Sequence, residues 1–307
     1  MRIGTLVKGT GDVAEYIRRI LPYGFESFSI TFWKTNRDID FPKLADSVLA
    51  AVDGTDAEIS ALEVFGNPMD HEEADKETLA SWERAIDAAP LFGADIVGGF
   101  TGRLRGTPIH ENIRRFTEIW SPLAERAERR GVRIAFENCD MGGTWQTGDW
   151  NIAHNPTAWQ LMFDAVSAAH VGLEWEPCHQ MVSLIDPLPQ IEEWGHKFIH
   201  VHGKDATVRW DIVRKYGVHS SMHRDVALPG QAQVVPAFAS HRTPGFGDSD
   251  WTEIISRLRR AGYNGPINIE GWHDPVYCGD LEMTGQVHAL NYLKRCRGGS
   301  FVPNPEV

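Results

Sequence analysis

Four residues that could bind a metal ion lie at the ends of four successive apolar segments in the second half of the chain. Three are carboxylates and one is an imidazole: Glu137, Glu176, His202 and Glu270. This set is rich in oxygen with a single nitrogen, which suits Mn²⁺, Mg²⁺ or Co²⁺ better than an ion that prefers thiolates. Each residue alone is an ordinary glutamate or histidine. The prediction depends on the fact that a possible ligand lies at the end of each of four successive segments. We predict one divalent ion, Mn²⁺ by preference, bound by all four.

A further carboxylate precedes one of these ligands in the segment GLEWEP. Side chains alternate between the faces of a strand, so Glu174 and Glu176 point to the same face and repel each other unless a cation lies nearby. His200 lies two residues before His202, and Asn268 lies two residues before the last ligand. We predict that Glu174 pairs with His200 beneath the ion and orients the ligands. A buried ion pair without influence on the metal is the alternative.

These strand ends can meet only if the whole chain forms a suitable sheet. Eight apolar segments alternate with helical patterns along the 307 residues, at 3–7, 27–32, 58–65, 95–100, 133–138, 171–177, 198–204 and 267–272. This α/β alternation predicts a parallel sheet closed into a (β/α)₈ TIM barrel, as a single domain over residues 1–307. An open doubly wound sheet is the alternative, but the turn VKGTGDVAE is a weak phosphate-binding pattern.

Two connections are longer than a barrel of this kind requires. Residues 139–156 follow the fifth strand and are rich in Gly and Trp. Residues 206–249 separate the seventh strand from its helix and contain four cationic or titratable side chains: His219, His223, His241 and Arg242. Long loops are usually lids or binding segments, so we expect both to border the site.

Composition excludes several classes of protein. The chain is 42% hydrophobic and 23% charged, and its formal net charge of −12 argues against a nucleic-acid partner, which needs clustered Lys and Arg. No segment approaches the roughly 20 apolar residues of a membrane span, and the start MRIGTLVKG does not read as a signal peptide. The four cysteines form no CxxC pair, which favours a cytoplasmic protein: Cys139, Cys178, Cys278 and Cys296.

Several segments together resemble the sugar phosphate isomerase/epimerase group of the xylose isomerase-like TIM barrel superfamily, over nearly the full length. They read IAFEN, WEPCH, FIHVHGKDA, RTPGFGDSDW, GYNGPINIE and HDP. By this resemblance the four predicted ligands coincide with the family's metal ligands. The family's paired acid/base glutamates fall on Glu137 and Glu270, and a substrate-contacting histidine falls on His179. Glu176 stands where ketose 3-epimerases usually have Asp.

The resemblance implies a metal-dependent sugar isomerase or epimerase. In such an enzyme the ion polarises the sugar carbonyl and stabilises the enediolate that proton removal forms. One carboxylate removes the carbon-bound proton and the second returns it on the other face. Lys204 lies on the same face as His202 and would support the developing negative charge. A solvated lysine at a loop entrance is the alternative for that residue.

A second enzyme class remains open. The chain is also similar to the catalytic subunits of C-glycoside deglycosidases, which act on 3-oxo-glycosides by proton abstraction and β-elimination. That resemblance implies a glycoside substrate and a small β-rich partner subunit, and we expect an oligomer. Tryptophans that could stack on a sugar or an aromatic substituent lie near strand ends or in the long loops: Trp33, Trp145, Trp150, Trp175, Trp210 and Trp272.

Two other classes fit the sequence less well. A DNA-repair endonuclease on a related barrel needs several more His and Asp ligands on strands two to four. The ends of those strands carry Trp33, Phe65 and Phe100 instead. A sugar-binding protein without activity would not need two carboxylates beside the ion.

Overall fold

The chain forms a closed barrel of eight parallel strands in a computed structural model that describes residues 1–218 and 238–299. The barrel strands are β1 Ile3–Lys8, β2 Ser27–Trp33, β3 Glu58–Phe65, β4 Ile96–Gly99, β5 Arg133–Glu137, β6 Val171–Trp175, β7 Phe198–Gly203 and β10 Ile267–Ile269. The first seven pair in sequence order, and β10 closes the barrel between β7 and β1. Each one falls on a predicted strand, so the predicted TIM barrel is confirmed.

Helices surround the barrel and connect its strands. They are α1 Val13–Ile20, α2 Phe41–Val52, α3 Glu73–Ala88, α4 Ile109–Arg130, α5 Pro156–Ala165, α6 Pro177–Val182, α7 Pro187–Trp194, α8 Trp210–Tyr216, α9 Trp251–Arg260 and α10 Glu282–Arg297. Several begin where a short polar side chain accepts a backbone N–H of the first turn, as Asp12 does in α1 and Asp250 in α9. No helix within the described residues is both long and apolar enough to cross a membrane.

The barrel interior changes from apolar to polar along the strands. A small cluster of buried apolar residues fills one level: Ala61, Ile96, Ala135 and Ile199. Two residues further along β3 and β5 come Glu63 and Glu137, both buried. Because all strands are parallel, their carboxyl ends meet at one face of the barrel, and the polar side chains collect there.

The segment after β7 is more ordered than predicted. In place of one loop from 206 to 249, strand β8 Asp205–Val208 pairs antiparallel with β9 Ala239–Arg242. The Asp205 carboxylate accepts hydrogen bonds from Ser249 N and Trp251 Nε1, which ties the end of the segment to its beginning. The long connection predicted after β7 is therefore present, and it contains a two-stranded ribbon that the sequence did not indicate.

The histidines predicted in this segment have different outcomes. His241 and Arg242 lie on β9. His219 and His223 lie outside the described residues.

The predicted long loop after β5 is confirmed, since no helix or strand forms between Glu137 and Pro156. Asn151 organises it. Its Nδ2 donates to the carbonyls of Glu137, at 2.8 Å, and Cys139, at 2.7 Å, while its Oδ1 accepts from the backbone N–H of Thr101. The loop is thereby fixed to the ends of β4 and β5.

Candidate metal centre and active site

The four predicted ligands converge at the barrel mouth. Glu137 is the last residue of β5, Glu176 directly follows β6, His202 lies near the end of β7, and Glu270 directly follows β10. All four side chains are buried, and one ligand atom from each lies within 4.8 Å of the others. Four successive barrel strands thus supply one compact group of three carboxylates and an imidazole.

His202 connects this group to a second one below it. Its Nδ1 lies 3.6 Å from Glu137 Oε1 and 3.6 Å from Glu270 Oε2. Its Nε2 faces the opposite way and lies 3.2 Å from Glu63 Oε1 and 3.3 Å from Glu174 Oε1. The Nδ1 atom is thus directed to the other predicted ligands, while Nε2 contacts the two lower carboxylates. This arrangement is common among metal-binding histidines.

The chemistry of the group fits a divalent cation. Within residues 1–218 and 238–299, Glu176 Oε2, Glu270 Oε2 and His202 Nδ1 are buried without a hydrogen-bond partner. Buried acceptors are costly when unpaired. The Lys204 ammonium lies 2.9 Å from Glu270 Oε1 and contacts only one edge of the group. A divalent ion of the oxygen-binding class would supply the unpaired acceptors with a common partner.

The protonation of the carboxylates reflects this crowding. Burial and the neighbouring carboxylates raise the pKa of Glu137 and of Glu176 to about 7. Glu270 differs because it contacts the lysine: although burial raises its pKa, the Lys204 ammonium and His202 lower it well below the usual range.

Lys204 and His179 complete the mouth on this side. Lys204 is buried and lies 3.3 Å from His179 Nε2, which in turn lies 2.5 Å from Glu176 Oε1. Burial and the Lys204 ammonium lower the pKa of His179 to about 4. Its Nδ1 is buried and has no hydrogen-bond partner in the described part of the chain. The alternative of a solvated lysine at a loop entrance is wrong.

The predicted pair of Glu174 and His200 is present beneath the ligands. His200 Nδ1 lies 2.6 Å from Glu174 Oε1, and Asn268 Nδ2 lies 3.2 Å from His200 Nε2. Although burial raises the pKa of Glu174, the charge of His202 and the hydrogen bond from His200 lower it to about 2. Gly98 on β4 makes room for this carboxylate, because a Cβ there would collide with Glu174 Oε1.

Glu63, the second carboxylate of this lower group, was not predicted from the sequence. It accepts a hydrogen bond from Ser29 Oγ and lies next to both histidines. The sequence does contain a pattern that indicates it. Glu63 lies inside the apolar segment EISALEVF, two residues before Phe65, and Glu174 was predicted from the same kind of pattern.

Two other residues of the site were also not predicted, and a third, His241, was expected only as part of the long segment after β7. Asn138 clamps the backbone of Glu176 with two hydrogen bonds of 2.9 Å. His273 Nδ1 lies 2.9 Å from Glu270 Oε1, and His241 packs edge-on between His273 and His179. His241 is brought there by the β8–β9 ribbon, which no local pattern predicts.

Aromatic residues occupy the other side of the mouth. Phe65 and Phe100 pack against Cys139, with Met141 and Trp150 beside them, and Trp33 packs on Trp150. We call these six residues the aromatic wall: Trp33, Phe65, Phe100, Cys139, Met141 and Trp150.

The remaining tryptophans named from the sequence are not part of this cluster. Trp175 is buried in the core and stacks on Phe198, so it does not face the mouth. Trp145 stacks on His110, and Trp272 lies under Lys8.

Comparisons with known proteins agree with the barrel fold. The model of the xylose isomerase-like TIM barrel family matches residues 17–296. The chain is 30% identical over 192 residues to the rhizopine catabolism protein MocC of Rhizobium meliloti, covering 62% of this chain and 49% of that protein. It is also 30% identical over 121 residues to inosose dehydratase of Bacillus velezensis, covering 39% and 37% of the two chains. It therefore spans about half or less of the length of these two relatives.

A solved structure with the same fold is that of 3-keto-D-glucoside 4-epimerase, YcjR, from E. coli, in its apo form. The two superpose with a TM-score of 0.68 at 16% identity, over 96% of this chain and 100% of the other. Identity this low supports the fold alone. With the family match over most of its length and the barrel described above, the chain belongs to the xylose isomerase-like TIM barrel family.

Proposed function

We propose that the protein is a divalent-metal-dependent sugar isomerase or epimerase that moves a proton at the carbon beside a sugar carbonyl. One observation carries the proposal. Glu137 and Glu270, three strands apart around the barrel, converge on His202 Nδ1 at 3.6 Å each, and Lys204 contacts only the second at 2.9 Å. The two carboxylates flank the site beside His202 Nδ1, and only Glu270 contacts the lysine. A pair of carboxylates with different neighbours suits the removal of a proton from one face of a substrate and its return on the other.

In this proposal Glu137, Glu176, His202 and Glu270 hold one ion, Mn²⁺ by preference, with Mg²⁺ or Co²⁺ as substitutes. The ion supplies a Lewis acid that polarises the carbonyl and stabilises the charge generated by proton removal. Glu137 takes the carbon-bound proton on its carboxylate.

The other residues serve the same transfer. Glu270 acts from the opposite face, held in its charged form by Lys204. His179 binds a substrate hydroxyl through its unpaired Nδ1. Lys204 stabilises negative charge that develops on the substrate oxygen.

The test is proton exchange, which does not require the product to be known. We would incubate the metal-loaded protein with 3-keto-glucosides and with free ketoses in deuterated water, and follow the protons beside the carbonyl by NMR. An isomerase or epimerase incorporates deuterium at that carbon. If no keto-sugar in the panel exchanges faster with the protein than without it, the proposal fails.

A second candidate is a lyase on 3-oxo-glycosides. The aromatic wall beside the site favours it, because a flat surface there suits an anomeric substituent. The naming of one relative as a dehydratase supports an elimination as well. The first step is the same proton removal, after which the electron pair forms a double bond and expels the anomeric substituent. Release of that substituent with an unsaturated sugar, in the same NMR experiment, would select this candidate.

We also propose that the protein is cytoplasmic and oligomeric, with a small β-rich subunit if the lyase is correct. Light scattering of the purified chain, alone and after co-expression with neighbouring reading frames, tests the assembly. A chain that stays monomeric under both conditions contradicts it.

A further inference from the structure

A cleft of about 450 Å³ lies between the end of β1, helix α1 and the connection from β10 to α10. Three buried apolar residues line one part of it: Leu6, Val7 and Val13. Aromatic, cationic and acidic residues line the rest. Binding sites for small molecules have volumes of roughly 300 to 1,000 Å³ and combine apolar surface with a few polar groups. The cleft has the size and the mixed lining of such a site.

The strand order places the cleft next to the candidate metal centre. β1 pairs with β10, with Thr5 opposite Ile269. Leu6, which lines the cleft, follows Thr5 as Glu270 follows Ile269. Trp272, a second lining residue, comes two residues after Glu270. The aromatic wall is a different surface, since none of its six residues lines the cleft. A substrate bound at the metal centre would therefore reach the cleft across the ends of β10 and β1.

Two aromatic rings line the cleft, and each has a cation over it. The Lys8 ammonium lies 5.5 Å from the Trp272 ring centroid. The Arg19 guanidinium lies 5.1 Å from the centroid of Tyr16. Because a cation at this distance is attracted by the face of the ring, each pair orients both of its side chains. The cleft thus combines flat apolar surfaces with charged hydrogen-bond donors, which suits a sugar ring with its apolar faces and its hydroxyl groups.

A buried hydrogen-bond chain fixes one carboxylate of the cleft. Thr5 Oγ1 donates to Gln286 Oε1 at 2.5 Å, and Gln286 Nε2 donates to Glu282 Oε1 at 3.0 Å. Gln286 is buried and packs on Gly271, where a Cβ would collide with its side chain. The interior of the protein therefore sets the position of Glu282. Burial and the Glu282 charge raise the pKa of Tyr16 to about 12, so the Tyr16 hydroxyl keeps its proton and can donate.

The charges of the cleft disfavour an anionic ligand. Its lining contains two cationic side chains, Lys8 and Arg19, and three carboxylates, Asp12, Glu15 and Glu282. A phosphate group would meet this excess of negative charge, and like charges at close range repel. A sugar hydroxyl both donates and accepts a hydrogen bond, so it can pair with cations and with carboxylates. The lining therefore favours a neutral ligand with several hydroxyl groups.

We infer that this cleft is a subsite for a second sugar unit, so that the substrate is a keto-sugar linked to another, neutral sugar. Tyr16 and Trp272 contact an apolar face of that unit, and Lys8 and Glu282 bind its hydroxyls. The inference rests on the proposed function, because it adds a unit to the keto-sugar bound at the metal centre. Stacking on one aromatic ring should strengthen binding about three- to tenfold.

Saturation-transfer difference NMR on the full-length protein loaded with Mg²⁺ tests the subsite. The probes are glucose disaccharides of different linkage: cellobiose, maltose, trehalose and gentiobiose. Methyl β-glucoside is the reference with a single ring, and glucose 6-phosphate tests for an anion site. With the parent protein at least one disaccharide should bind about three- to tenfold more tightly than methyl β-glucoside, and saturation should reach protons of both rings.

Variants locate the effect. Tyr16→Ala and Trp272→Ala should each reduce the disaccharide preference to within about twofold of none, whereas Tyr16→Phe, which keeps the ring, should retain most of it. Trp210→Ala is the matched control, since that tryptophan is 49% exposed and does not line the cleft. Trp272 is close to Glu270 in sequence, so the metal content of each variant is measured as well. Tyr16, on α1, supplies the variant that lies apart from the ligands.

The inference is overturned if no disaccharide binds more tightly than methyl β-glucoside, if Tyr16→Ala and Trp272→Ala both keep the parental preference, or if glucose 6-phosphate binds more tightly than every disaccharide. Failure of the proposed function gives a different result. In that case the disaccharide preference would depend on Tyr16 while no keto-sugar exchanged deuterium. Exchange into keto-glucosides without a disaccharide preference would leave the proposed function intact and end this inference alone.

Discussion

The arc of the barrel mouth from β5 to β10 differs sharply from the arc from β2 to β4. The first buries Glu137, Glu176, His202, Lys204 and Glu270 close together, and the second presents the strand-end residues of the aromatic wall. Burying charge is expensive and is tolerated where the charges compensate one another or bind an ion. The aromatic arc gains free energy from its own burial. In the proposed function the charged arc performs the chemistry, and the aromatic arc borders the substrate.

The largest expected effect concerns the two flanking carboxylates, one at each end of the charged arc. Glu137→Gln or Glu270→Gln keeps an oxygen for the ion but removes the base. Deuterium exchange beside the carbonyl should fall by about 10²- to 10⁴-fold in at least one of them. Trp33→Phe, in the aromatic arc, should leave exchange into a free ketose within about twofold of the parental rate. If both Gln variants exchange at the parental rate, neither glutamate is the base.

The next effect concerns the carboxylates below the ligands. Glu63 and Glu174 hold His202 Nε2 at 3.2 and 3.3 Å. Replacing either by Gln should weaken Mn²⁺ binding about 10- to 100-fold in calorimetry, because the imidazole loses its orienting acceptor. Glu58→Gln, at the exposed start of the same strand β3, is the control for Glu63. Parental affinity in both Glu63→Gln and Glu174→Gln would show that the lower group is only structural.

A contact between the two arcs can be tested at Gly98. This residue of β4 belongs to the aromatic side, yet a Cβ there would collide with the Glu174 carboxylate. Gly98→Ala should reduce the free energy of unfolding by about 1 to 3 kcal/mol, measured by urea denaturation. In the double variant Gly98→Ala/Glu174→Asp the shorter carboxylate side chain makes room for the new Cβ. Its loss in free energy of unfolding should be smaller than the sum of the losses in the two single variants. Unchanged stability in Gly98→Ala would contradict the close packing.

A smaller effect depends on pH. Burial and the charge of Arg103 lower the pKa of His154, in the loop after β5, to about 4 from its ordinary value of 6.5. As pH falls between these values the unfolded chain takes up a proton that the folded protein refuses, so stability decreases. From pH 7 to pH 5 this histidine should account for a loss of about 2 kcal/mol.

The measurement compares parent and His154→Gln in urea denaturation across that range. The variant should lose less stability on acidification, whereas the exposed His110→Gln should follow the parent. Parallel pH profiles for parent and His154→Gln would remove His154 as the cause.

The barrel was predictable because its eight strands are separate apolar segments with parallel order implied by the helices between them. The convergence of Glu137, Glu176, His202 and Glu270 followed from that fold, since parallel strands end on one face. Their roles as ligands and bases are still predictions.

Other parts of the structure could not be predicted from local sequence patterns. The β8–β9 ribbon, which brings His241 to the site, depends on pairing between segments far apart in sequence. The contact between the Trp33 and Trp150 rings depends on the loop conformation that Asn151 fixes and on the positive φ of Lys34. Glu63 was overlooked because its segment was assigned as an ordinary apolar strand.

The most direct test of the account is the number of Mn²⁺ ions bound per chain, by titration calorimetry and elemental analysis, in the parent and in Glu176→Ala. We expect about one ion in the parent, consistent with a single oxygen-rich site, and loss of that ion in Glu176→Ala. Glu125→Ala, an exposed glutamate of α4, should bind like the parent. A full complement of metal in Glu176→Ala would contradict the central claim that the charged arc holds the ion.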